Sequence, residues 1–137
     1  MKVCEWTNEY SVDIAELDGH HHRLFDILNE LFDLMSEGAT DQKIIRVLEE
    51  LLDYTHYHFD EEEKIMAKMG YPELSTHRMH HQQFIEKMKE FYGSAQNGMA
   101  IFVATKVANV GIEWLKNHIL KEDHQYTDYM KQQGLQF

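Results

Sequence analysis

The stretch HYHFDEEEKIM, residues 56–66, constrains the fold more than any other part of the chain. Read as a helix, it sets His58 and Glu62 one turn apart on the face carried by Phe59, Ile65 and Met66. A buried carboxylate without a partner is strongly unfavourable. A chain that puts these two groups on an apolar face must therefore bring partners to them from elsewhere in the fold. The remaining sequence is patterned to do this. Apolar residues recur every three or four positions over about 14–37, 41–69, 72–95 and 99–130, which predicts four helices. Thr40 suits the N-cap of the second and Gly70 its end, Pro72 suits the first turn of the third, and Gly98 and Gly134 bracket the fourth. No alternating strand pattern competes. The connections are short, so neighbours run antiparallel. The expected fold is all-α: an antiparallel up-down-up-down four-helix bundle spanning 1–137 as one domain. Residues 1–13 form an extended N-terminal arm, with Trp6 as its anchor.

Each helix of such a bundle buries one stripe. At about 100° per residue, the first stripe is Leu17, Leu24, Leu28, Leu31 and Met35, with His21 near its centre line. His20 lies at its edge and His22 points away. The second is Ile44, Leu48, Leu51, Thr55 and Met66, and carries His58 and Glu62. The third is Phe84, Met88, Phe91 and Ala95, preceded by His77 and His81, one turn apart. The fourth is Val107, Gly111 and Trp114, and His118 lies on it. His21, His77 and His81 come early in helices one and three; His58 and His118 come late in helices two and four. In an antiparallel bundle these positions share one end. A lone histidine on an apolar face is usually a satisfied core residue, but here every helix contributes one at the same level.

The ten histidines are otherwise unexplained, since none sits in a terminal tag. A convergent cluster of imidazoles around a carboxylate calls for a cation. The donors are nitrogen and oxygen, which suits iron, manganese, zinc or copper, and five histidines exceed what one tetrahedral zinc needs. Two metals with a bridging carboxylate fit the count. Neither the Glu-x-x-His pairs of ferritin-type sites nor a His-Glu-x-x-His protease signature is present. A second bridging carboxylate is expected after His118, in HILKEDHQY. Ideal spacing favours Glu122, one turn on; Asp123 would sit about 140° away.

Composition narrows the partners. The net charge of −11 argues against nucleic acid and anionic membranes. The single cysteine, Cys4, cannot form an internal disulfide, which points to a reducing compartment. The N-terminus lacks a signal-peptide core and no run of about 18 apolar residues stands out, so a cytoplasmic protein without membrane insertion is expected.

LDGHHHRLF, HFDEEEKIM, YPELSTHRMHH and WLKNHILKED, taken in this order and spacing, resemble the hemerythrin family, and most closely its single-domain bacterial members. The resemblance covers almost the whole chain, arm included. It implies the metal ligands His21, His58, Glu62, His77, His81, His118 and Asp123. It also implies two iron ions, bridged by Glu62, Asp123 and a solvent-derived oxygen. One iron takes His77, His81 and His118; the other takes His21 and His58 and keeps an open position. It chooses Asp123 over Glu122, which requires the fourth helix to loosen after His118 through a wide turn. The family usually has Gln at the position of His20. Leu24, Phe59, Leu115 and Ile119, with Trp114 nearby, are implied to line an apolar oxygen pocket. The implied activity is reversible binding of dioxygen for carriage, storage or delivery, without enzymatic turnover. A reductase or an oxygen-receiving protein would be its partner. The alternatives are an oxygen or redox sensor acting through a partner, and a di-iron peroxide or nitric oxide scavenging enzyme. Glu61 and Glu63 read as a solvated face, and His56, His80 and His124 as exposed groups or neighbours of the site.

Overall fold

A computed structural model describes residues 4–137. The expected start of the arm, residues 1–3, lies outside the described residues. Helix α1 spans Ala15–Ser36, α2 Asp41–Met69, α3 Leu74–Ser94 and α4 Ala100–His118. A wide π-type turn, Ile119–Asp123, follows α4 and leads directly into α5, His124–Gln132. The described residues contain no strand. α1 packs on α2 and α4, and α3 packs on the same two, which closes the up-down-up-down bundle.

Local chemistry sets most boundaries. The Thr40 side chain accepts from the Lys43 N–H at the start of α2, and Gly70 ends α2 in the left-handed region at φ 69°, where a side chain would be strained. Gly98, at φ 95°, breaks the chain between α3 and α4. The third helix begins later than Pro72 predicts. The Leu74 N–H donates to the Tyr71 carbonyl, closing a turn around Pro72 and Glu73, and regular helix starts only after it.

The N-terminal segment is more than an arm. Cys4, Tyr10, Val12 and Ile14 are buried, and Trp6 packs against the core. The Cys4 N–H donates to Asn29 Oδ1 (2.9 Å), and Asn29 Nδ2 donates to the Cys4 carbonyl (2.7 Å). Burial pushes the Cys4 thiol up to about 11, so it stays protonated and inert. By length and composition alone, an 18-residue window within Leu74–Gln132 is apolar enough to cross a membrane. α4, which carries most of that run, turns Val103, Ala104, Val107 and Leu115 into the bundle.

The core divides in two. A large apolar cluster runs from Leu24 and Leu28 through Leu51, Phe59 and Phe84 to Leu115. A smaller one, Val12, Ile14, Leu17, Met66, Met69, Tyr71, Tyr126 and Met130, closes the opposite end. Between these clusters in sequence register, on each of the four bundle helices, stand the buried polar groups.

Candidate metal centre

His21, His58, Glu62, His77, His81, His118 and Asp123 are all at most 3% exposed. Their donor atoms form two groups in which every donor lies within 4.8 Å of the rest. One is Glu62, His77, His81, His118 and Asp123; the other is His21, His58 and Glu62. The carboxylates join them. Glu62 turns Oε1 toward His77 Nε2 (3.1 Å) and His81 Nε2 (3.0 Å). Its Oε2 faces His21 and His58 Nε2, each at 3.6 Å. Asp123 does the same: Oδ1 is 3.0 Å from His77 Nε2 and 3.1 Å from His118 Nε2, and Oδ2 is 3.2 Å from His21 Nε2.

Asp123 reaches this position because of the wide turn. On a regular helix it would point away, and Glu122 would face the core. With Ile119–Asp123 wound as a π-type turn, Asp123 becomes fully buried. Glu122 moves outside, where its Oε2 lies 2.5 Å from His118 Nδ1 and accepts from His80 Nδ1 at 2.8 Å. The two neighbouring acids thus meet opposite edges of one imidazole. The ideal-helix preference for Glu122 as the inner carboxylate is corrected accordingly.

The donor set fits a metal pair. Neither oxygen of Asp123 nor Nε2 of His21 makes an aligned hydrogen bond, although all three are buried and in close contact. Such atoms aim at a shared point rather than at one another. His81 Nδ1 donates to Glu63 (2.9 Å), which leaves its Nε2 as a lone pair 3.1 Å from His118 Nε2. Metal–nitrogen bonds of about 2.1 Å at right angles set neighbouring donors about 3.0 Å apart, against about 3.4 Å for a tetrahedron. The 3.0–3.1 Å contacts around His77, His81 and His118 match the octahedral edge.

Protons play the cation's part in the metal-free chain. Burial pulls the His21 imidazole down, but Asp123 and Glu62 outweigh it and push it up to about 9. The same contest pushes His77 up to about 10 and His118 up to about 9. His58 goes the other way, held neutral first by burial and then by the charge of His21. Burial opposes ionisation of Glu62 and Asp123, yet the surrounding imidazoles hold both well below the usual carboxylate range.

An apolar cavity adjoins the cluster, lined by Leu24, Leu28, Leu51, Thr55, Phe59, Phe84, Gly111 and Leu115. Its volume is about 10 Å³, counted as room for the centre of a water-sized sphere, the lower limit for one small molecule. The Thr55 hydroxyl donates to the Leu51 carbonyl, so the wall presents no free donor. Of the five residues expected here, Leu24, Phe59 and Leu115 line the cavity. Ile119 is fully buried outside its wall. Trp114 stacks on His118 (4.4 Å, 13°) and on Phe84 (4.0 Å, 16°), and opens on the surface.

Sequence reasoning missed several groups. Glu63 does more than face solvent: it accepts from His81 Nδ1 and from Arg78 Nε (2.8 Å), so its position next to Glu62 was the available signal. Glu122 and His80 form the equivalent arrangement behind His118. The fully buried Tyr126 hydroxyl donates to Glu62 Oε2 (3.0 Å). His20 is buried with its Nδ1 3.0 Å from His58 Nδ1, and is thus a neighbour of the site rather than part of it. His124 Nε2 donates to the Ser11 carbonyl, and His56 is exposed.

Fold and cluster together define a class, the four-helix bundles that hold cations on inward-facing histidines and acids. A family model described as the hemerythrin HHE cation binding domain matches residues 12–129. The chain belongs to the hemerythrin family. It is 32% identical to a bacteriohemerythrin of Clostridium acetobutylicum, over 90% of this chain and 98% of the relative. It is also 28% identical to a myohemerythrin of Theromyzon tessulatum, over 89% of each. A crystal structure of wild-type hemerythrin superposes with a TM-score of 0.80 at 28% identity, covering 92% of this chain and 96% of that one.

Proposed function

We propose that this chain binds dioxygen reversibly at a non-haem di-iron site, and that residues 1–137 act as one hemerythrin-like domain. His77, His81 and His118 hold one iron, His21 and His58 the other, and Glu62 and Asp123 bridge them. The observation that carries this reading is the split of each carboxylate, one oxygen toward each histidine set. When bound, the iron pair supplies an open ligand position and electrons that dioxygen can take up and return.

The protein's own residues favour binding over turnover. Five neutral imidazoles and two carboxylates donate little negative charge, which leaves high oxidation states poorly supported. Leu24, Leu28, Leu51 and Leu115 exclude water from the cavity beside the metals and so slow proton entry. Glu63 and Glu122 fix the tautomer and direction of His81 and His118. Tyr126 fixes Glu62. A reductase that restores the ferrous state is the protein partner this reading calls for. The buried, unpaired thiol of Cys4 is consistent with a cytoplasmic setting.

The test is a visible spectrum with metal analysis. The iron-loaded protein is reduced without air, exposed to oxygen, then purged. A coloured form that appears stoichiometrically and bleaches on purging is the expected result. Irreversible oxidation or sustained consumption of a reductant would move the assignment to a scavenging enzyme.

A further inference from the structure

Every residue that lines the cavity is buried, so a ligand must pass between packed side chains to reach it. Of the cavity's walls, Phe59 alone also lines the groove of about 160 Å³ between α2 and α3. Phe59 is 3% exposed. Its ring lies face-on against His81, with centroids 3.7 Å apart and planes at 2°. His58, Phe84, Trp114 and His118 meet it at an angle, with centroids 5.7, 6.2, 5.9 and 6.2 Å away. The ring is therefore held by packing alone, with no hydrogen bond to fix it. Side-chain torsions of this kind move between discrete wells without moving the backbone. His81, by contrast, is fixed from behind by Glu63, which Arg78 anchors in turn. A ring held by packing alone thus lies against one fixed by hydrogen bonds.

From this geometry we infer that Phe59 is the door through which small neutral ligands pass from the α2–α3 groove to the cavity. The inference rests on the dioxygen-binding reading above. The groove side is polar, with Asp60, Glu63, Arg78 and Lys89 along it, whereas the cavity side is apolar. An ion or hydrated solute loses its solvation at the door with nothing to replace it. A neutral diatomic molecule loses almost none. Phe59 accordingly sets the rate of entry and exit and favours uncharged diatomics over anions.

Stopped-flow mixing of the reduced, iron-loaded protein with dioxygen tests this. Phe59→Leu is expected to raise association and dissociation rates together by about tenfold, the change that follows from lowering a barrier by about 1.4 kcal/mol. Because Phe59 also lines the cavity, the dissociation constant is measured alongside, and a rise in both rates that exceeds any change in affinity marks the shared barrier. Phe59→Met, a flexible replacement of similar bulk, gives the same direction if the leucine variant folds poorly; Phe59→Trp should slow both rates. Leu28→Val widens the cavity away from the groove and should raise association by less than Phe59→Leu does. Equal acceleration in Leu28→Val, or unchanged rates in both Phe59 replacements, would overturn the door. Nitric oxide binding to the ferrous protein is measured in parallel. If wild type fails to oxygenate reversibly, the function is wrong, yet the same ranking of nitric oxide rates still supports the door, and a flat ranking rejects it. A chain that holds no iron rejects both.

Discussion

The two histidine sets share their carboxylates but are supported differently. Behind the three-histidine set stand charged acids: Glu63 at His81 and Glu122 at His118, each tied to a second cation or imidazole nearer the surface. Behind the two-histidine set, His58 meets only the neutral ring of His20, and His21 Nδ1 has no hydrogen-bond partner among the described residues. A carboxylate behind an imidazole makes it a stronger donor and fixes its direction. The first set is therefore built to grip its metal. The second, with one histidine fewer and no acid behind it, is the more weakly supported.

The largest effect should come from the carboxylate common to both sets. Glu62→Gln removes a charge that faces His21, His58, His77 and His81, and metal analysis should find both positions depleted. Next come the supports. Glu63→Gln or Glu122→Gln should weaken metal binding by about 10- to 100-fold, read by chelator competition. His20→Ala, which removes a neutral partner, should weaken it less. Equal losses from both kinds of change would erase the distinction between the sets.

Titration sharpens the same contrast. The pKa values of His21, His77 and His118 stand at about 9, 10 and 9, above the ordinary 6.5, so at neutral pH all three carry protons that a metal must displace. Metal binding should release protons, measured by calorimetry in buffers of different ionisation enthalpy. For the metal-free fold the sign follows from linkage: this stabilisation is full below pH 6.5 and is lost as pH rises through 9 to 10. Melting of the metal-free chain should therefore fall across that window, while the loaded protein changes less. The smallest effect is expected at Gly111. A Cβ there would meet Leu28 Cδ2 at an ordinary 3.6 Å, so Gly111→Ala should stabilise the helix by up to about 1 kcal/mol while narrowing the cavity and lowering oxygen affinity.

The bundle and the level of the histidines were legible because periodicity depends only on which faces must be buried. His21 could be preferred to His20 on angle alone, and the structure has His21 among the donors with His20 behind His58. Asp123 was not legible in that way. Its placement depends on a departure from the regular helix, and only the resemblance to a family pointed to it. Glu63 and Glu122 were read as surface or misassigned because a helical wheel assigns each residue one side. It does not register that an acid at the rim reaches the outer nitrogen of a buried ring. Pro72 misled by two residues, since its fixed φ suits the tight turn before a helix as well as the helix itself.

The wide turn at Ile119–Asp123 also has a meaning for how such a chain tolerates change in length. It holds one residue more than an ordinary turn would, and Leu120 and Lys121 within it are exposed. Deleting either would let the helix relax to regular winding with the aspartate still facing inward and α5 still in step. The casualty would be the acid beside it, carried off the outer edge of His118. A single-codon loss here would thus leave the pocket's inner wall intact while loosening its outer brace, so related sequences that differ by one residue in this loop-like coil of helix should differ in grip before they differ in fold.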